Sequence, residues 1–258
     1  MTAPQTLSRV PRTPWRWLPW LLASQLAVLL LWLWLGWQAG LPAMVASHAL
    51  FMVPVFLPNT AFYAPVLSRL PQAGKRIWLT IDDGPSDDTP AVLDLLDRYD
   101  ARATFFLVGE RAAARPELVR EMLRRGHSLG NHSHSHPQAR FWALGPGALA
   151  REIGDCQRAL TAIAGAPPRW YRSVVGMTNP FVAAALRTHG LTRVGWSARG
   201  FDGVDCQPQA VIARIQRHLR PGAIVLLHEG AAHGHNLEIL EAVLRVARER
   251  GYEARLPE

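Results

Sequence analysis

The sequence predicts an α/β fold of alternating strands and helices, carried behind an apolar N-terminal stretch long enough to enter a membrane. Three observations predict it. From Lys75 onward, short β-branched or aromatic runs alternate with runs whose apolar residues recur every three or four positions. The residues best suited to chemistry fall directly after the strand runs, where a βα fold collects reactive groups. No charged residue lies between Arg16 and Arg69, a span of 52 residues.

That uncharged span has two parts. WLPWLLASQLAVLLLWLWLGW, Trp17 to Trp37, is 21 residues of almost continuous apolar character, about the length that crosses a hydrocarbon core. Trp15, Trp17, Trp20 and Trp37 sit near its ends, where indole rings collect at headgroup level. Its apolar core is too long for a cleaved signal peptide and no A-x-A site follows directly, so it reads as an uncleaved anchor. LPAMVASHALFMVPVFL, Leu41 to Leu57, is shorter and carries Pro42, Pro54 and His48; crossing, re-entry and lying flat all stay open for it alone.

Residues 1–70 are therefore read as a membrane anchor of one or two segments, and 71–258 as a single folded domain. That remainder carries 24 basic and 20 acidic residues. The excess is spread along helices such as REMLRRG, which makes it a set of solvated faces and argues against nucleic-acid binding. Cys156 and Cys206 match no zinc spacing.

Within the domain the strand candidates are RIWLTID, ATFFLVG, HSLGN, RWYRSVV, TRVGWSA, AIVLLHE and YEARL. Between them fall the helical runs TPAVLDLLDRYD, PELVREMLRRG, GALAREIGDCQRALTAIAG, PFVAAALRTHG, PQAVIARIQRHL and LEILEAVLRVARERG. Thr89 before Pro90 and Asn179 before Pro180 each place a capping side chain ahead of a proline at the first helical position.

RIWLTI runs into Asp82-Asp83-Gly84-Pro85, SLGN into His132 and His136, RWY into Arg172, and AIVLL into His228. Asp-Asp-Gly-Pro alone also suits a plain turn. Two adjacent carboxylates nonetheless repel unless a cation separates their roles, one binding metal and the other staying free as a base. In LGNHSHSHP, an extended backbone points His132, His134 and His136 the same way. A helical turn instead puts His132 and His136 on one face, the i and i+4 spacing that closes on one metal, and turns His134 away.

With these motifs the chain resembles the polysaccharide deacetylase (NodB-homology) family, carbohydrate esterases that remove acyl groups from N-acylated sugars. The resemblance covers about Arg76 to Leu256. The family's TFDDGP stands here as TIDDGP, Thr80 to Pro85; its H[ST]xxH is His132 to His136; its leucine two before a histidine is Leu226 with His228. It implies a distorted (β/α) barrel of about seven strands, and a metal held by Asp83, His132 and His136. Two imidazoles and a carboxylate leave positions open for water and a substrate oxygen, as a catalytic zinc site does. Zinc is the first choice, and cobalt, nickel or manganese also suit these ligands.

The resemblance further implies Asp82 as base, His228 as acid, and Leu226 and Trp196 as substrate contacts. His134 then has no ligand role. Two motifs depart. R-x-P-Y-G reads RSVVG, keeping Arg172 and Gly176 while Val174 and Val175 replace Pro and Tyr. Arg172 is still expected to orient Asp82, and the Val175 backbone N–H to serve the oxyanion. W-x-V-D-x-x-D-W appears as WSARGFDG, with Trp196 and Asp202 kept and the last Trp replaced by Gly203. Asp202 is expected to pair with His228 and keep it protonated. His233 and His235, in a glycine-containing loop, are further candidates for substrate contact.

The expectation is a membrane-anchored, metal-dependent hydrolase that removes the N-acetyl group from an amino sugar in a polysaccharide, oligosaccharide or lipid-linked glycan, in a bacterial inner membrane. The alternative is a catalytically impaired glycan-binding member of the same fold; a purely structural metal domain leaves Asp82, Arg172 and His228 without purpose. Basic residues flank both ends of the uncharged span, Arg9, Arg12 and Arg16 before it and Arg69, Lys75 and Arg76 after it. This pattern predicts a hairpin of two crossings with the domain facing the cytoplasm. A single crossing with an outward-facing domain is the runner-up.

Overall fold

The computed structural model describes residues 7–71, 74–205 and 207–257. Two long apolar helices come first, α1 (Leu18–Leu35) and α2 (Trp37–Phe56), joined by Gly36 at φ 74°. A left-handed residue costs glycine nothing, which lets the chain reverse within one position. The helices pack side by side through small and polar groups. Ser47 Oγ lies 2.9 Å from Ser24 Oγ and accepts from Gln25 Nε2 at 2.8 Å, and Gly40 has no side chain where the Trp32 ring lies against it. Both helices are long and apolar enough to cross a membrane, and Trp20, Leu33 and Trp34 are among many large side chains left exposed on α1.

The remaining elements are β1 (Arg76–Asp82), α3 (Thr89–Arg98), β2 (Ala103–Leu107), α4 (Gly109–Ala114), α5 (Pro116–Arg124), β3 (Ser128–Asn131), α6 (Pro146–Ala164), β4 (Trp170–Tyr171), α7 (Val182–Thr188), β5 (Thr192–Arg193), β6 (Ala198–Arg199), α8 (Pro208–His218), β7 (Ile224–His228), α9 (Asn236–Glu249) and β8 (Glu253–Ala254). The strands pair in parallel in the order β5-β4-β3-β2-β1-β7-β6, with β8 added beside β1. β5 and β6 stand at opposite edges of this sheet yet are separated by only four residues. A chain that short reaches across only if the sheet curls until its edges approach, so the sheet is a distorted half-barrel. The sequence run TRVGWSA, expected as one strand, is thus two strands with the crossing of the seam between them.

The seam is filled by chain leading out of the hairpin. Leu67 bridges Val194 in parallel, its N–H donating to Arg193 O and its carbonyl accepting from Gly195 N, each at 2.9 Å. Arg69 bridges Ala223, and Leu70 N–H donates to Gly222 O at 2.8 Å. Immediately after α2, Asn59 donates to Trp196 O at 2.9 Å and accepts from Trp196 N–H at 3.1 Å. The arm before α1 returns to the same body: Arg9 N–H donates to Thr192 Oγ1 at 2.8 Å, Arg16 donates to Ala61 O, and the Trp17 ring lies 6.0 Å from Tyr63. Both ends of the hairpin therefore meet the folded domain.

Side chains alternate along β1 with the two-residue period of a strand. Ile77, Leu79 and Ile81 join the main core beneath helices α3, α8 and α9 with Leu93, Ile215, Ile239 and Val243. Trp78, Thr80 and Asp82 take the opposite phase, toward the barrel interior. Trp78 packs there with Phe106, Trp170, Val194 and Ile224, and its indole N–H donates to Thr104 Oγ1 at 2.7 Å. The interior phase ends in Asp82 at the C-terminal rim.

The helix starts differ in how they work. Neither expected cap stands at the cap position: α7 begins at Val182 after Phe181, and Asn179 Oδ1 accepts from Phe181 N–H at 3.0 Å in the turn ahead of it, while α3 begins at Thr89 itself, whose hydroxyl goes to the Glu229 carboxylate and accepts from Ser86 N–H.

Candidate active site

Strand register sets the site. β1 and β7 pair with Asp82 opposite His228, and β3 pairs β4 with Asn131 opposite Tyr171, so His132 and Arg172 leave their strands at the same level. His132 Nδ1 bonds the Arg172 carbonyl at 2.8 Å, which turns Nε2 toward the rim.

Arg172, only 1% exposed, is held from every side. It donates to Asp82 Oδ1 at 2.7 Å, Thr80 Oγ1 at 2.8 Å and Gly195 O at 2.9 Å, and its guanidinium lies 4.2 Å over the Phe106 ring. Such a fork fixes one oxygen of Asp82 and leaves Oδ2 aimed at His132 Nε2, 3.8 Å away. Asp83 sits at φ 73°, a left-handed conformation that Asp tolerates better than most residues. That turn sends consecutive carboxylates to different places: Asp82 into the barrel and Asp83 to the histidines. Gly84 follows because the Glu229 carboxylate occupies the space a β-carbon there requires.

Asp83 Oδ1 faces His132 Nε2 at 3.4 Å and His136 Nε2 at 3.2 Å, and one ligand atom from each of the three lies within 4.8 Å of the others. This oxygen is buried without a hydrogen-bond partner among the described residues. Three converging lone pairs around an unsatisfied carboxylate oxygen fit a cation of the zinc type. Burial, then the charge of neighbouring His132, push His136 down to about 4, so its lone pair is free at neutral pH. Burial alone would raise the Asp83 carboxyl, and the facing imidazoles, His132 foremost, instead hold it well below the usual range.

His132 and His136 do not share a helical turn. Ser133 at φ 66° and His136 at φ 53° make the segment an irregular loop. Asn131 Oδ1 accepts from Ser133 N–H at 3.0 Å, Gly109 N–H donates to Ser133 O, and the Glu152 carboxylate accepts from the N–H groups of His134 and Ser135. These bonds replace the helical ladder and still bring the two rings to 4.9 Å. His134 turns away to lie against Gly109.

Across the mouth, Asp202 Oδ2 accepts from His228 N–H at 2.6 Å and Oδ1 lies 3.1 Å from His228 Nδ1. Burial opposes charge on this imidazole, but the Asp202 carboxylate, aided by Asp82 and Asp83, pushes it up to about 9. Val175, Trp196 and Leu226 line the same pocket as Asp82, Asp83, His132, His136 and His228. Val175 adopts φ 46° and ψ 21°, a left-handed conformation that is strained for a β-branched residue. His233 bonds the Asp202 carbonyl at 2.6 Å and His235 stacks on His233, so this pair braces the acid's partner. Cys156 is a buried free thiol, and Cys206 lies outside the described residues.

The family model for polysaccharide deacetylase matches residues 69–194. A chitooligosaccharide deacetylase of Bradyrhizobium is 35% identical over 66% of this chain and 78% of its own length. This chain belongs to the polysaccharide deacetylase family. A peptidoglycan-N-acetylglucosamine deacetylase of Listeria monocytogenes is 33% identical over 74% of this chain, which spans only 41% of that longer protein. A family 4 carbohydrate esterase of Streptomyces lividans, solved with acetate, shares the fold with a TM-score of 0.65 at 30% identity, covering 71% of this chain and 93% of that one. The activity of the family is hydrolysis of a non-peptide amide bond.

One pocket residue went unread in the sequence. Arg199 lines the site from β6, at the position where W-x-V-D-x-x-D-W carries its first Asp. The signal was present as a reversal of charge inside a motif.

Proposed function

We propose that this chain is a membrane-anchored, metal-dependent deacetylase that hydrolyses the N-acetyl amide of an amino sugar in a lipid-linked or nascent glycan. The observation that carries the reading is the constellation at one rim: Asp82 fixed by Arg172, beside the Asp83, His132 and His136 trio, with His228 on the adjoining strand. N-acetylglucosamine, named for the Listeria relative, is the amino sugar that fits this reading best.

A divalent ion held by Asp83, His132 and His136 supplies Lewis-acid polarisation of the amide carbonyl and acidification of water. Asp82, its other oxygen tied to Arg172, takes the proton of the attacking water through Oδ2. The Val175 backbone N–H serves the developing oxyanion. His228 stands beside Asp82 on the adjoining strand and, protonated, gives its proton to the departing nitrogen, because an unprotonated amine leaves poorly. Asp202 holds that imidazole in place through Nδ1 and keeps Nε2 as the donating atom.

The hairpin carries the cellular reading. Two exposed apolar helices whose ends both meet the domain put the basic N-terminal arm and the enzyme on the same side, and basic residues favour the cytoplasm. The rim also sits against the hairpin's base: Thr178, three residues beyond Val175, donates its N–H to Val55 O at 2.8 Å, and Phe56 meets Trp142 at 5.9 Å. A site at that level reaches sugars attached to lipid.

Acetate release from an N-acetylglucosamine oligomer, with and without chelator, tests the chemistry. Chelator-sensitive release is expected; none from any acetylated glycan leaves the glycan-binding alternative, which the Pro and Tyr replacements at Val174 and Val175 favour. A C-terminal reporter active only after export tests the topology, and its activity moves the enzyme outside.

A further inference from the structure

Arg199 is a cation at a position in the pocket wall that its own motif gives to an acid. Its guanidinium lies 4.9 Å over the Trp196 ring and 4.5 Å over Phe201, so two aromatic rings flank it at the mouth. Its Nε is buried without a hydrogen-bond partner, and no carboxylate lies within ion-pair distance among the described residues. Gly203 stands where the motif has Trp, and the His228 ring lies against it, 3.3 Å from where a β-carbon would be. Phe201 and Val204, 46% and 76% exposed, form an apolar lip around the opening.

A buried donor left unpaired is costly, and a planar fork of donors matches the paired oxygens of a phosphate or carboxylate. The acidic members of the site are already occupied: Asp82 by Arg172, Asp202 by His228, Asp83 by the metal trio. Arg199 lines the pocket, so an anion that enters with the substrate meets its guanidinium there. We infer that Arg199 makes this site selective for an amino sugar bearing an anionic group, phosphate or carboxylate, close to the acylated nitrogen. The inference rests on the deacetylase reading and narrows its substrate class.

The test uses the full chain in detergent with Zn2+ and four acetylated substrates: neutral chitobiose, soluble N-acetylglucosamine 1-phosphate, a polyprenyl-phosphate-linked N-acetylglucosamine, and an N-acetylmuramic acid glycoside carrying a carboxylate. At least one anionic substrate is expected to exceed chitobiose in kcat/KM by about tenfold to a hundredfold, the range of a charge-assisted bidentate contact. Which one does so identifies the anion and whether lipid is required. Arg199→Gln is expected to collapse the ratio toward one and Arg199→Lys to restore part of it. A merely structural role lowers all substrates alike, and a ratio that survives Arg199→Gln overturns the inference.

Binding separates this inference from the activity it rests on. Chelator-treated full chain is expected to bind N-acetylglucosamine 1-phosphate at least about tenfold more tightly than N-acetylglucosamine, and to lose that preference in Arg199→Gln. Equal binding of the two sugars overturns the role of Arg199 whether or not acetate is released. Preference without turnover supports Arg199 and sinks only the hydrolase.

Discussion

Replacing Asp202 with Asn removes one charge and keeps the shape of the side chain. His228 is held up to about 9 chiefly by that carboxylate, against burial that pulls the other way. Without it the imidazole falls to about 6.5 or below, apart from what Asp82 and Asp83 still contribute. At pH 8 a group titrating near 9 is about nine-tenths protonated, and one near 6.5 only about 3%. Deacetylation at pH 8 is therefore expected to drop roughly ten- to thirtyfold, with much less loss at pH 6. Stability carries the same sign. Because the folded value is raised, the pair stabilises fully below about 6.5 and its contribution fades as pH rises through about 9. Acetate release across pH 5.5–10, with thermal unfolding at both ends, measures both effects. An Asp202→Asn enzyme whose alkaline limb stays in place refutes the assignment of His228 as an acid tuned by Asp202.

His132→Ala and Asp83→Ala are expected to lose both metal and turnover, since each removes one of three protein ligands, while His134→Ala keeps both; elemental analysis of purified chains decides. Asp82→Asn is expected to retain metal and lose nearly all acetate release. Arg172→Met leaves the Asp82 carboxylate buried without its partner, which costs about 3–5 kcal/mol and lowers the melting temperature by roughly 10 °C. A melting curve that does not move rejects the central place given to that ion pair. Val175→Gly relieves a left-handed β-branched residue worth about 1–2 kcal/mol and gives back part of it in chain entropy, so unfolding is expected to shift upward by less than about 1 kcal/mol.

The reactive groups were legible because each stands at the end of a strand run: Asp82 after RIWLTI, His132 after SLGN, Arg172 after RWY, His228 after AIVLL. Local pattern locates such positions, and parallel pairing then aligns them. What stayed hidden depends on partners far along the chain. Nothing near TRVGWSA tells that Thr192 and Ala198 belong to opposite edges of the sheet, because the pairing partners Trp170 and Val225 decide it. The loop of His132 to His136 is shaped by Asn131, Gly109 and Glu152 rather than by its own spacing, so HxxxH suggested a turn that does not form. Arg199 was readable only as a departure from a motif, and its setting between Trp196 and Phe201 appears only once the strand is folded.

Asn59 grips both the N–H and the carbonyl of Trp196, and Leu67 and Leu70 lie in the seam of the barrel. A soluble fragment begun at residue 71 thus lacks the residues that hold one wall of the pocket and leaves Arg193 and Gly195 with unpaired main-chain groups. Such a truncation would misjudge the enzyme even if it folded, because the supports of the pocket wall and the apolar hairpin would be lost together. A fragment meant to keep those supports has to start no later than Asn59.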